Sequence, residues 1–157
     1  MKPLYRGVAV AALQCLIALS VAGKYALDRE RLPRVWAKTG PVDPNLPVRG
    51  RYVSLRLEVE GSGVTAWGPV QLTVRNERLT AVPSSSPSGV RLVQARDQQW
   101  VIAEPVAFFI PEHAPDPSRR ATGEELWVEV SVPAKGPPRP IRLGVKKDAV
   151  LTPLDIH

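Results

Sequence analysis

The stretch PVDPNLPVRGRYVSLRLEV, Pro41 to Val59, changes character at Gly50. Before the glycine, Pro41, Pro44 and Pro47 restrict the backbone and the residues ahead of them, giving a stiff approach without helix or sheet ladder. After it, Val53, Leu55, Leu57 and Val59 alternate with Tyr52, Ser54, Arg56, Glu58 and Glu60. Period two over nine residues predicts a strand with one buried face.

The same alternation returns at Val70-Leu72-Val74, Leu126-Val128-Val130-Val132 and Ile141-Leu143-Val145. Less regular apolar runs lie near Leu79, Leu92, Trp100–Ile102 and Ala107–Ile110. Breaks fall at Gly61-Ser62-Gly63, Asn76-Glu77, Pro83–Gly89 and Pro133–Pro140. About seven to nine short strands, each with one apolar face, predict an all-β domain: an antiparallel β-sandwich or small barrel. The 17 prolines and 11 glycines agree, since proline disrupts helix interiors and both residues punctuate turns.

The amino terminus is different. Lys2 and Arg6 precede an apolar run from Val8 to Gly23, interrupted by Gln14 and Ser20. A charged start before such a run is an export signal, and with its flanks it approaches the roughly 20 residues of a membrane span. Ser20-Val21-Ala22 offers a cleavage site, but helix-forming residues continue to Arg34 with only Pro33 to stop them, which favours a retained membrane-anchor helix. The expected organisation is an anchor helix and extension at 1–34, a proline-rich approach at 35–50 and a β domain at 51–157. Lys24, Arg29, Arg31, Arg34 and Lys38 follow the run and outnumber the cations before it, a distribution that by itself places the downstream domain in the cytoplasm.

The formal charge of +6 raises the question of a polyanion partner. The cations are scattered, and no zinc-finger, basic-helix or aromatic RNA-binding pattern accompanies them, so no nucleic-acid partner is expected. Attraction to anionic headgroups is the milder reading beside a membrane. Cys15 is the single cysteine, which excludes an internal disulfide framework and a multi-cysteine metal site.

PVDPNLPVRGRYVSLRL resembles the signature of the GDYXXLXY family of small membrane-anchored bacterial proteins. Asp43-Pro44 leads to Arg49-Gly50-Arg51-Tyr52, with Leu55 at the motif's leucine. AFFIPEHAPD, Ala107 to Asp116, is similar to the family's downstream element and puts Phe109, Pro111 and Glu112 on matching positions. Arg51 stands where the motif has aspartate, Leu57 where it ends in tyrosine, and His113 where glycine is usual. The resemblance implies a single-pass protein of the bacterial inner membrane with a periplasmic β domain, against the plain charge count. It implies no chemistry. Asp43, Pro44, Arg49, Gly50, Arg51, Tyr52, Leu55, Phe109, Pro111 and Glu112 are the motif residues and candidate interaction positions.

Catalytic material is sparse. His113 and His157 are the only histidines, so histidine metal sites and Ser/His triads have little to draw on. Glu112-His113 with Asp116 could converge on a loop, which keeps a periplasmic hydrolase as the alternative, beside a soluble-ligand binding module. A signal-peptidase-like protease would need a serine near the membrane, yet none lies between Gly23 and Gly50. No catalytic residue, cofactor, metal or small-molecule ligand is assigned. The expected function is a non-catalytic accessory or docking subunit for an integral membrane partner.

Overall fold

A computed structural model of the chain describes residues 3–40, 52–85, 89–95, 97–111, 113–117 and 119–156. It divides into two compact units, Met1–Leu32 and Pro33–His157.

The first unit is one helix, α1, Pro3–Arg31. Its alanines and leucines are strong helix formers, and proline is tolerated at a first turn, where its missing donor would be unpaired anyway. The stretch Tyr5–Asp28 is long and apolar enough to cross a membrane. Its 24 residues rise about 36 Å against a hydrocarbon core of about 30 Å. Ser20 does not break the apolar surface, because its hydroxyl donates to the Ile17 carbonyl at 2.8 Å. The Leu32 amide reaches the Asp28 carbonyl at 3.0 Å, and Pro33 then stops the helix.

The second unit is an all-β domain with ten strands among its described residues: β1 Arg34–Gly40, β2 Tyr52–Gly61, β3 Val70–Arg75, β4 Arg78–Pro83, β5 Leu92–Gln94, β6 Trp100–Ile102, β7 Val106–Phe109, β8 Glu125–Ser131, β9 Arg139–Lys147 and β10 Val150–Pro153. They form one curled sheet, a half-barrel, in the order β10-β9-β8-β1-β2-β4-β3, with β7 and β6 also on β2 and β5 on β6. Among the described residues, every pairing is antiparallel except β2 with β4. The long β2 strand serves four neighbours along its length, so it carries the curl. Val53, Leu55, Leu57 and Val59 are all buried, and Leu55 and Leu57 are wholly so. They meet Val128, Val130 and Leu143 from the other wing in one continuous core.

Two tight hairpins follow from local chemistry. Asn76 and Glu77 join β3 to β4, and Asp148 and Ala149 join β9 to β10, with positive φ at both residues of each pair. That is the two-residue turn whose twist suits antiparallel strands.

The organisation departs from the expected boundaries. Residues 35–40, read as part of the approach, form most of β1, and the domain begins at Pro33. Val35, Ala37 and Thr39 face the core, while Trp36 and Lys38 face outward. Five consecutive residues pair with β8 and two more with β2, so β1 joins the wings of the sheet. Its inward residues are small, and that made the alternation faint in the sequence. β10 was likewise unmarked, since Val150, Leu151, Thr152 and Pro153 do not alternate.

Candidate recognition surface

Described residues of the two motif-like segments, Tyr52–Leu55 and Val106–Phe109, meet across one strand pair. β7 runs antiparallel to the start of β2, with Tyr52 opposite Phe109, Val53 opposite Phe108, Ser54 opposite Ala107 and Leu55 opposite Val106. Residues more than fifty positions apart in the chain thus become direct neighbours. The rings of Tyr52 and Phe109 lie 6.0 Å apart, tilted by 57°. This is within the range at which aromatic pairs attract edge to face. Phe109 nevertheless remains 76% exposed.

An exposed phenylalanine does not fold the domain, and its ring retains most of its apolar area for something else. The motif leucine is the opposite case. Leu55 has no exposed surface and belongs to the core, so its place in the motif is explained by packing alone. Among the described residues, β7 pairs with β2 alone. It is bracketed by Pro105 and Pro111, which lack amide donors and blunt an open edge against strand addition. Pro111 starts a turn in which its carbonyl accepts the Ala114 amide at 3.2 Å, leaving Ala114 buried. Asp43, Pro44, Arg49, Gly50, Arg51 and Glu112 lie outside the described residues, and with Glu112 the possible Glu112–His113–Asp116 cluster. Among the described residues, no group of three or more His, Cys, Asp or Glu side chains is placed to hold a metal ion.

On the inward side of the same strand pair, Phe108 borders a groove of about 460 Å³ with Ile141, Leu143, Pro153, Leu154 and Ile156. Arg142 and Asp155 also border it. The groove separates β7 from β9 and from the segment after β10. Leu154 secures that segment by donating its amide to the Leu143 carbonyl at 2.8 Å.

A second constellation, absent from the sequence reading, covers the outward face where β1, β2 and β8 meet. The Lys38 ammonium lies 2.7 Å from the Glu125 carboxylate, whose other oxygen accepts the Trp127 indole N–H at 3.1 Å. The hydrogen bond from Lys38 holds the Glu125 carboxyl below its ordinary pKa, with smaller help from Trp127. The same bond raises Lys38. Glu58 behaves differently: burial pushes its carboxyl up, and the field of Lys38 only partly opposes this. Asp97 adds negative charge near the group.

Beside it, Arg142 reaches Glu129 at 2.5 Å and lies 5.4 Å from the centre of the Trp36 ring, while Lys146 lies 4.6 Å from that of Trp127. The two indoles are thus capped by cations on a face of alternating charge, an arrangement that stabilises the sheet surface. Its members come from strands far apart in sequence. The one local sign was the outward phase of Trp36 and Lys38, which becomes legible once β1 is known to be a strand.

No protein-family model, curated protein or solved structure matches this chain.

Proposed function

We propose that the protein is a single-pass envelope protein, anchored in the bacterial inner membrane by α1, whose periplasmic β domain docks onto an integral membrane partner through the β2–β7 strand pair. The observation that carries this reading is the exposed Phe109 ring set against Tyr52, at the point where two separated motif segments come into register. Aromatic residues that keep their apolar area exposed are the usual anchors of protein interfaces. Arg49 and Arg51, before Tyr52 in the sequence, and Glu112, after Phe109, are the charged motif residues that this reading assigns to partner recognition. Membership of the GDYXXLXY family is part of the same proposal, on the strength of the residue matches. The resemblance also supports periplasmic placement, which the cations following α1 oppose.

The test is recovery of the full-length protein from membranes dissolved in mild detergent. One stoichiometric multi-pass protein should accompany it, and Phe109→Ala or the double change Arg49→Ala/Arg51→Ala should lose that protein while the domain stays folded. A solitary monomer in several detergents would overturn docking. Reporter fusions after Gly61 address placement: activity of a reporter that works only outside the cytoplasm is expected, and activity of a cytoplasmic reporter overturns the periplasmic reading.

The groove beside Phe108 favours one second reading, a module that binds an apolar ligand. Its volume is within the usual range for small-molecule sites, and its walls are mainly aliphatic and aromatic. Saturable uptake of a fatty acid, abolished by Ile156→Trp in a protein that stays folded, would move the assignment to that reading.

A further inference from the structure

The end of the β domain at which the chain enters it has a composition of its own. α1 ends at Arg31 and β1 starts at Arg34, a covalent reach of at most about 11 Å. The Pro33 carbonyl accepts the Val132 amide at 3.0 Å, which binds the beginning of the domain to the end of β8. Arg34 then stands opposite Ser131, and Ser131 opposite Arg139, so three strands start or finish in one row. The connection from β8 to β9, Val132–Pro138, emerges from that row.

This connection is built to hold one shape. Pro133, Pro137 and Pro138 restrict it, Gly136 takes a positive φ of 92°, and Pro138 is fully buried as its foot. Ala134, Lys135 and Pro137 are exposed at its tip. From Ser131 to Ile141 there is no acidic residue, and the cations are Lys135 and Arg139. The fold therefore brings two cations from about a hundred residues downstream to the end of the β domain where β1 begins.

We propose that the β8–β9 connection, with Lys135 at its tip, is a contact surface for the anionic headgroups of the bilayer that holds α1. The proposal rests on the anchor reading above, because only a spanning α1 keeps this end at a bilayer. Charge complementarity supplies the attraction, which for Lys135 amounts to about a fivefold change in the ratio of docked to undocked states near an anionic surface. The prolines limit the ordering cost, since the tip is already fixed. Ala134 and Pro137 have no charge to desolvate, so the tip can approach the headgroups closely.

The experiment uses the full-length chain, carrying Cys15→Ser and one new cysteine, in vesicles of phosphatidylcholine alone or mixed with phosphatidylglycerol. A fluorophore on Ala134→Cys reports the tip, and one on Ala107→Cys, exposed on β7, is the control. Quenching by neutral acrylamide should fall at least about twofold at position 134 in the anionic vesicles and stay unchanged at position 107. Lys135→Glu should abolish the protection, and raising salt to about 1 M should weaken it by shortening the screening length to about 3 Å. If Lys135→Glu lowers folding as judged by tryptophan emission, Lys135→Gln replaces it, with partial loss expected. Equal quenching at position 134 in both vesicle types, with the chain retained after alkaline extraction, overturns the contact surface alone. Release by alkaline extraction overturns the anchor and the contact surface together.

Discussion

The two ends of the β domain are opposite in chemistry. Where β1 begins, the row Arg34–Ser131–Arg139 and the tip bearing Lys135 are cationic and hold no large apolar group at their surface. Toward the end where β2 begins, Tyr52 and Phe109 present aromatic area on a strand edge. β1 and β2 run antiparallel, with Gly40 opposite Arg56, so these features are separated by roughly 30 Å along the strands. The lesson is a division of labour within a small sheet. Diffuse positive charge suits a diffuse anionic surface, whereas an exposed ring suits a shaped partner with a matching pocket. If the cationic end meets lipid, a partner for the aromatic end must itself extend beyond the headgroups. This narrows the proposed docking partner to a membrane protein with a sizeable extramembrane part.

The sharpest way to break this contrast is to ask whether the motif end is held by its core or by its surface. Leu55→Ala should cost about 2–5 kcal/mol, the range for deleting a fully buried leucine side chain, and should lower the urea midpoint accordingly. A loss under about 1 kcal/mol would mean that the start of β2 is not packed as described. Next in size is Gly144→Ala on β9, at the cationic wing. An added methyl would sit 2.8 Å from the Trp36 ring and 3.2 Å from the Thr152 carbonyl oxygen, so the indole must shift. Overpacking of this kind costs roughly 1–3 kcal/mol, and it should appear in both the urea midpoint and the tryptophan emission. An unaltered midpoint and spectrum would show that the ring does not lie over Gly144.

A smaller effect is expected from the charge cluster between the ends. The depressed pKa of Glu125 makes its contribution to stability present above its unfolded value and lost as pH falls through the folded value. Lys38, raised by the same hydrogen bond, contributes below its unfolded value and loses that contribution as pH rises through the folded one. Glu58 has the opposite sign to Glu125: burial raises its pKa, so protonating it restores stability as pH falls. With Lys38 and Glu125 side chains 39% and 43% exposed, solvent screening limits the pair to at most about 1 kcal/mol near neutrality. Urea midpoints between pH 7 and pH 3 should therefore fall less steeply for Glu125→Gln than for the unaltered protein, and more steeply for Glu58→Gln. Parallel curves would remove the cluster from the account of acid stability.

Smallest in stability, and most telling for function, is Phe109→Ala. A ring this exposed should change stability within about ±0.5 kcal/mol, while recovery of a membrane partner should drop sharply. Unchanged recovery would leave the aromatic end without its proposed role. A large fall in the melting temperature would instead make Phe109 a structural residue.

The amino-acid sequence by itself determined the apolar helix, the all-β class and the buried face of β2, because each rests on a local period or a continuous run. Val53 to Val59 alternate strictly, and burial follows that alternation residue by residue. Tertiary structure decided what no local period encodes. β1 became a joining strand because both its neighbours supplied hydrogen bonds to a segment whose inward residues, Val35, Ala37 and Thr39, are a weak apolar signal. The Lys38–Glu125 pair spans 87 positions, and the alignment of Arg34 with Arg139 depends on the intervening β8. Strand registry likewise sets Tyr52 against Phe109: two motifs are readable separately, but only the long-range pairing of β2 with β7 makes them one surface.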